Sequence, residues 1–128
     1  MMRIKSIEWW RGTAQHMWRT YFALKSQFDN AERDVHALAF AMKNTSKADI
    51  KIYDICNRLF TDAFVKSDQD ILRMYFTSRW GDDLYAVEDY SLKHNIPTKV
   101  IWIVIRKANR MAMEETGLLD RKEGEQSE

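Results

Sequence analysis

A chain of 128 residues, 45% hydrophobic and with five Trp, has enough apolar mass to bury a core as one domain without disulfides or a structural metal. Four Gly and one Pro are too few turn formers for an all-β fold, while a net charge of +1 excludes no partner class, since local distribution matters more than the total. The single Cys56 rules out an internal disulfide, and no run approaches the ~18 apolar residues of a membrane span. The start, "MMRIKSIEWWRG", lacks the apolar centre of a signal peptide, so a cytoplasmic protein with no membrane partner is expected.

The elements read in chain order as helices. Ile7, Trp10, Ala14, Met17, Tyr21, Leu24 and Phe28 recur at steps of three and four, a heptad seam with Ser6 as its cap. Trp9, Trp18 and Phe22 widen the apolar face, which needs a partner: another part of the chain or a second copy. A second helix is expected over "DNAERDVHALAFAMKN", with Asp29 and Glu32 at capping-box spacing and Ala31, Val35, Leu38 and Met42 facing the core. After the loop 44–49, Ser46 and Asp49 cap a third helix. Its inward residues are Ile52, Ile55, Leu59 and Ala63, with Phe60 and Phe64 beside them. Ser67 and Asp70 form a further capping pair before a short fourth helix carrying Ile71, Leu72, Tyr75 and Phe76. "GDD" breaks it, and a fifth helix, "LYAVEDYSLKHN", ends at Asn95, a residue that tolerates the left-handed conformation.

The segment "HNIPTKVIWIVIRKANR" is the hardest to place. Taken alone, "KVIWIVI" has the composition of a buried strand. No second strand-like run exists to pair with it, and an unpaired strand leaves its backbone groups unsatisfied. Ile101, Ile105, Ala108 and Ala112 share one helical face, Pro97 keeps the preceding turn extended, Thr98 offers a cap and Gly117 a stop. The reading is a helix over 98–116.

Residues 84–110 resemble a helix-turn-helix. Tyr90 and Ser91 fill the apolar and small positions of the first helix, Asn95 the turn, Ile96 the plug beneath it, and Ile101 and Ile105 the anchors of the second helix. With "ILRMYF" upstream and "IRKANRMA" downstream, residues 70–113 resemble the C-terminal promoter-reading region of bacterial sigma factors. In size the chain is similar to the phage late-gene transcription regulators that share that fold. Two positions depart from the pattern: Asn95 stands where the family has Gly, and His94 where it has an apolar residue. The elements together make an all-α fold of five or six helices in a single helical domain over 1–119, with a hairpin or bundle half at 1–66, a helix-turn-helix half at 68–119 and a charged tail at 120–128. The resemblance implies a DNA-binding transcription regulator, carried by a phage or mobile element, with double-stranded DNA as partner. The N-terminal half would form a homodimer or contact RNA polymerase. Thr98, Lys99, Trp102, Ile103 and Arg106 would meet base edges, and Lys107 and Arg110 phosphates.

The residues themselves both support and oppose this. From Lys93 to Arg110 there are five Lys or Arg and no acid, a positive stripe in a neutral chain. A helix C-terminus also favours cations for its own dipole. The same helix would turn Val100, Trp102 and Ile103 toward DNA, where polar side chains are expected. A segment apolar all round can equally be buried all round, or serve a protein-interaction module (an adaptor or inhibitor) as its interface together with the N-terminal tryptophans. Trp9, Trp10, Trp18 and Trp102 fill a core, anchor an interface, or, with Arg3, Lys5, Arg11 and Arg19 interleaved, stack on single-stranded nucleic acid. No enzymatic constellation stands out. His16, His36 and His94 lack ligand spacing, Asp82 and Asp83 read as helix caps, and phosphate-cradling and nucleophile-elbow motifs are missing. The expectation is a non-enzyme without metal or cofactor.

Overall fold

A computed structural model describes residues 11–31, 34–79 and 82–116. These form six helices and no strand: α1 Arg11–Ala31, α2 Val35–Lys43, α3 Lys47–Ala63, α4 Lys66–Phe76, α5 Asp83–His94 and α6 Thr98–Glu115. The fold is all-α, and the β-branched run 100–105 is helical, as its lack of a pairing partner requires. Ser6, Ile7, Trp9, Trp10, Glu32, Gly81, Gly117 and the tail 120–128 lie outside the described residues.

Helix α1 is the central element and packs against α2, α3, α4 and α6. Its seam behaves as the heptad spacing predicts: Ala14, Met17, Tyr21, Leu24 and Phe28 are all buried. Trp18, off that seam, is the largest fully buried side chain among the described residues. Its ring stacks 5.8 Å from Phe76 and 6.2 Å from Phe22, and it meets Tyr21 and Phe64 edge-on. The indole N–H donates to the Ala108 carbonyl at 2.9 Å, which ties α1 to α6. A buried indole needs such an acceptor, or its desolvated donor would cost about 1–3 kcal/mol. One buried cluster runs from Trp18 through Leu59, Leu72 and Val87 to Ile101 and Met113. A smaller one joins Leu24 and Phe28 to Ala41.

Helix ends show where local signals held. Ser46 caps α3 by accepting from the Asp49 N–H at 3.1 Å, as its spacing predicts. The expected Asp29 start of α2 is corrected, because α1 continues through Ala31 and the cap is Asp34, accepting from the N–H groups of His36 and Ala37. The expected core face of α2 is corrected too. Leu38 and Ala41 turn inward, while Val35 and Met42 stay in solvent. The Ser67 cap does not form, since α4 begins at Lys66 with Val65 at its N-cap. Gln69 shapes that junction by donating to the Phe60 and Phe64 carbonyls at 2.8 and 3.0 Å, closing the end of α3. Arg19 from α1 does the same for α4, with Nη1 donating to the carbonyls of Ser78 at 2.8 Å and Phe76 at 3.3 Å. A cation there also complements the helix dipole.

Candidate nucleic-acid interface

The α5–turn–α6 unit begins with Val87, the fully buried anchor of α5, and a half-buried Tyr90 whose ring stacks on His94 at 4.0 Å. At the C-cap, Asn95 takes φ 54° and ψ 47°, the left-handed conformation expected of it. The Ile96 N–H then donates to the Ser91 carbonyl at 3.1 Å, and the Ser91 hydroxyl donates to the Ile96 carbonyl. Ser91 thus ties the turn from both sides, a role its small side chain permits. Ile96 packs on the main core beneath the turn. Pro97, extended at φ −59° and ψ 139°, launches α6 as its N-cap. Thr98 is therefore the first helical residue, and the cap expected from its side chain does not form. Asp82 likewise occupies the N-cap of α5 without a side-chain cap bond.

Beneath α6 lies a hub on Tyr75. Its hydroxyl receives the Gln15 amide at 3.1 Å and donates to Asp83 at 3.3 Å, and its ring meets Trp102 edge-on at 5.6 Å. One phenol thereby links α1, α4, α5 and α6. Burial, then the Asp83 carboxylate, raises its pKa, so it stays a protonated donor at neutral pH.

Helix α6 is two-sided. Ile101, Val104, Ile105 and Ala108 are buried. At 3.6 residues per turn, Lys99, Ile103, Arg106 and Arg110 fall on the opposite side within an arc about 60° wide, and all four are exposed. The hydrophobic run is thus neither wrapped on every side nor exposed on every side. Trp102 is half-buried against Tyr75, whereas Val100 is 44% and Ile103 56% exposed. Thr98 is exposed at the N-terminal end. Lys107 sits at the edge of the stripe with Nζ over the Phe64 ring at 5.4 Å. Arg110 pairs with Glu114 on its own helix at 3.7 Å. Such exposed pairs contribute about 0–1 kcal/mol and exchange readily for another anion.

Other candidate groups are absorbed by the fold. Cys56 is buried, and burial pushes its thiol up to about 12, so it is not a nucleophile at neutral pH. Arg73 lies over the Phe60 ring at 5.6 Å and Arg19 over Tyr75 at 6.0 Å. Arg58 instead pairs with Glu115 at 3.0 Å. Among the described residues, no three His, Cys, Asp or Glu side chains converge on a point where a metal could bind. No described helix is long and apolar enough to cross a membrane. Sequence reasoning missed Val87, Gln69 and the Tyr75 hub, all of which act through partners on other helices.

The geometry defines an all-α protein in which the last two described helices meet through a left-handed turn. No family model matches the chain, and no curated protein or solved structure is significantly similar to it.

Proposed function

We propose that this protein is a small DNA-binding transcription regulator that lays α6 in the major groove of double-stranded DNA. The observation carrying this reading is the exposed stripe Lys99–Ile103–Arg106–Arg110, opposite the buried side of α6. Thr98 and Lys99 stand at the end of the helix that approaches base edges, and Arg106 follows on the same side. Arg110 and Lys107 lie farther along, suited to phosphates. In this reading Trp102 positions the helix from below through Tyr75, and the apolar Val100 and Ile103 meet thymine methyl groups. The N-terminal half is left to contact RNA polymerase.

A random-sequence duplex and the matching single strand, titrated by fluorescence anisotropy at rising salt, test the proposal. The duplex should bind in the micromolar range or tighter and weaken steeply with salt. Absence of binding, or a preference for the single strand, counts against it.

A second reading, a protein-interaction module, draws on α5. Leu84, Tyr85 and Leu92 are 64, 76 and 84% exposed there. That reading predicts capture of a protein partner that survives high salt, and loss of capture on Leu92→Glu.

A further inference from the structure

Two residues on the outer side of α6 serve neither the helix nor the core. Val100 and Ile103 are β-branched and are 44% and 56% exposed. At a water-facing helix position a β-branched residue lowers helix propensity and gains little burial, so Ala, Glu, Lys or Arg would serve folding better. The core has no need of them, since Ile101, Val104 and Ile105 already fill the buried side. Residues that break a local rule without a packing gain are expected at sites of function.

Their surroundings narrow the partner. Ile103 has Val100 and Lys99 one turn before it and Arg106 and Lys107 one turn after it, with Arg110 a turn further, and all of these are exposed. No acidic residue lies between Thr98 and Arg110. An apolar protein surface that covered Ile103 would have to desolvate the surrounding cations without pairing them. Duplex DNA meets both demands. Its phosphates pair with the cations, and the 5-methyl group of thymine offers an apolar contact in the major groove.

We infer that Val100 and Ile103 are the specificity-determining residues of the DNA site, and that they make the protein discriminate thymine by its 5-methyl group. The inference rests on the DNA reading of α6 and adds what the basic residues cannot supply. Lys99 and Arg106 recognise acceptor atoms, those of guanine above all, and have nothing to bind on a methyl group. The stiffness of the two side chains suits the task. A β-branched residue in a helix is held near one χ1 rotamer, so its methyl groups are in place before DNA arrives and little entropy is lost on contact. Trp102 takes no part, because its ring is turned onto Tyr75. Burying one methyl corresponds to about a fourfold gain in affinity.

The probe is a duplex enriched by the full chain from a random-sequence pool. It is prepared twice, once with thymine and once with uracil at every thymine position, and both forms are titrated by fluorescence anisotropy at one salt concentration. The native chain should bind the uracil form at least about fourfold more weakly. Val100→Ala/Ile103→Ala should bind the two forms alike and keep its helical circular dichroism spectrum, because Ala favours an exposed helix position. A change of duplex shape caused by the missing methyl groups would persist in that variant, which separates shape from contact. Equal affinity of the native chain for the two forms overturns the inference and leaves the DNA reading standing. An enriched site without thymine, or a variant that still discriminates, does the same. A chain that enriches no duplex overturns the DNA reading and this inference with it.

Discussion

Replacing Trp18 removes the side chain on which most of the fold converges. The ring is fully buried, lies against Phe22, Phe64 and Phe76, and donates its N–H to the Ala108 carbonyl at 2.9 Å. Trp18→Ala combines a lost aromatic with a cavity, which costs about 3–5 kcal/mol in well-packed cores. Loss of the hydrogen bond adds about 0.5–1.5 kcal/mol. Ala108 lies inside α6, where its carbonyl keeps a helical partner, so no large penalty for an orphaned acceptor follows. The sum is about 3.5–6.5 kcal/mol. For a chain of 128 residues, total stability is about 6–19 kcal/mol, so this variant should unfold far earlier. Trp18→Phe keeps the apolar ring and forfeits the N–H, and should cost about 1–3 kcal/mol. Urea unfolding followed by far-ultraviolet circular dichroism measures both. A cost below about 1 kcal/mol for Trp18→Ala would refute the central place given to this residue.

The helix caps make a paired prediction: Ser46→Ala should cost about 1 kcal/mol, whereas Ser67→Ala, outside any cap bond, should be close to neutral by the same unfolding assay. At the turn, Asn95→Gly should hold or slightly raise stability, while Asn95→Val should cost about 1–2 kcal/mol, because φ 54° penalises a branched side chain. Stability should also fall in alkali. Burial raises the Cys56 thiol from 9.0 to about 12, and Tyr21 and Tyr75 are raised from 10.0 for the same leading reason. Unfolded chains therefore ionise first. The contribution from Cys56 is complete below pH 9 and declines as pH climbs from about 9 toward 12, so Cys56→Ala should blunt part of that decline in a pH series of urea midpoints.

Much of this architecture is legible locally. The α1 seam, the Ser46 cap and the left-handed Asn95 turn each follow from residue type and spacing within a few positions. The run 100–105 is ambiguous by composition, and what resolves it is the lack of any strand for it to pair with. What stays hidden depends on distant partners. Helix α2 carries apolar residues on both sides, so its sequence offers two equivalent faces, and the surface formed by Leu24 and Phe28 selects Leu38 and Ala41. Ser67 has the right spacing to Asp70 for a cap, yet the bonds from Gln69 to the end of α3 accompany a helix that starts before it. The candidate site is half legible in the same sense. The basic residues of α6 and their spacing are plain in the sequence. That Trp102 turns toward Tyr75 and leaves Ile103 outside follows from packing between α4 and α6.

The salt dependence of duplex binding, compared between the native chain and a Lys107→Ala/Arg110→Ala variant, tests the account of α6 most directly. Each phosphate contact contributes about 0.9 to the slope of log affinity against log salt. With Lys107 and Arg110 on phosphates, the variant should bind more weakly and its slope should be shallower by up to about 2, with circular dichroism unchanged. A native chain that ignores duplex DNA, or a variant that binds with the same affinity and slope, would contradict the assignment of α6 as the DNA-facing helix.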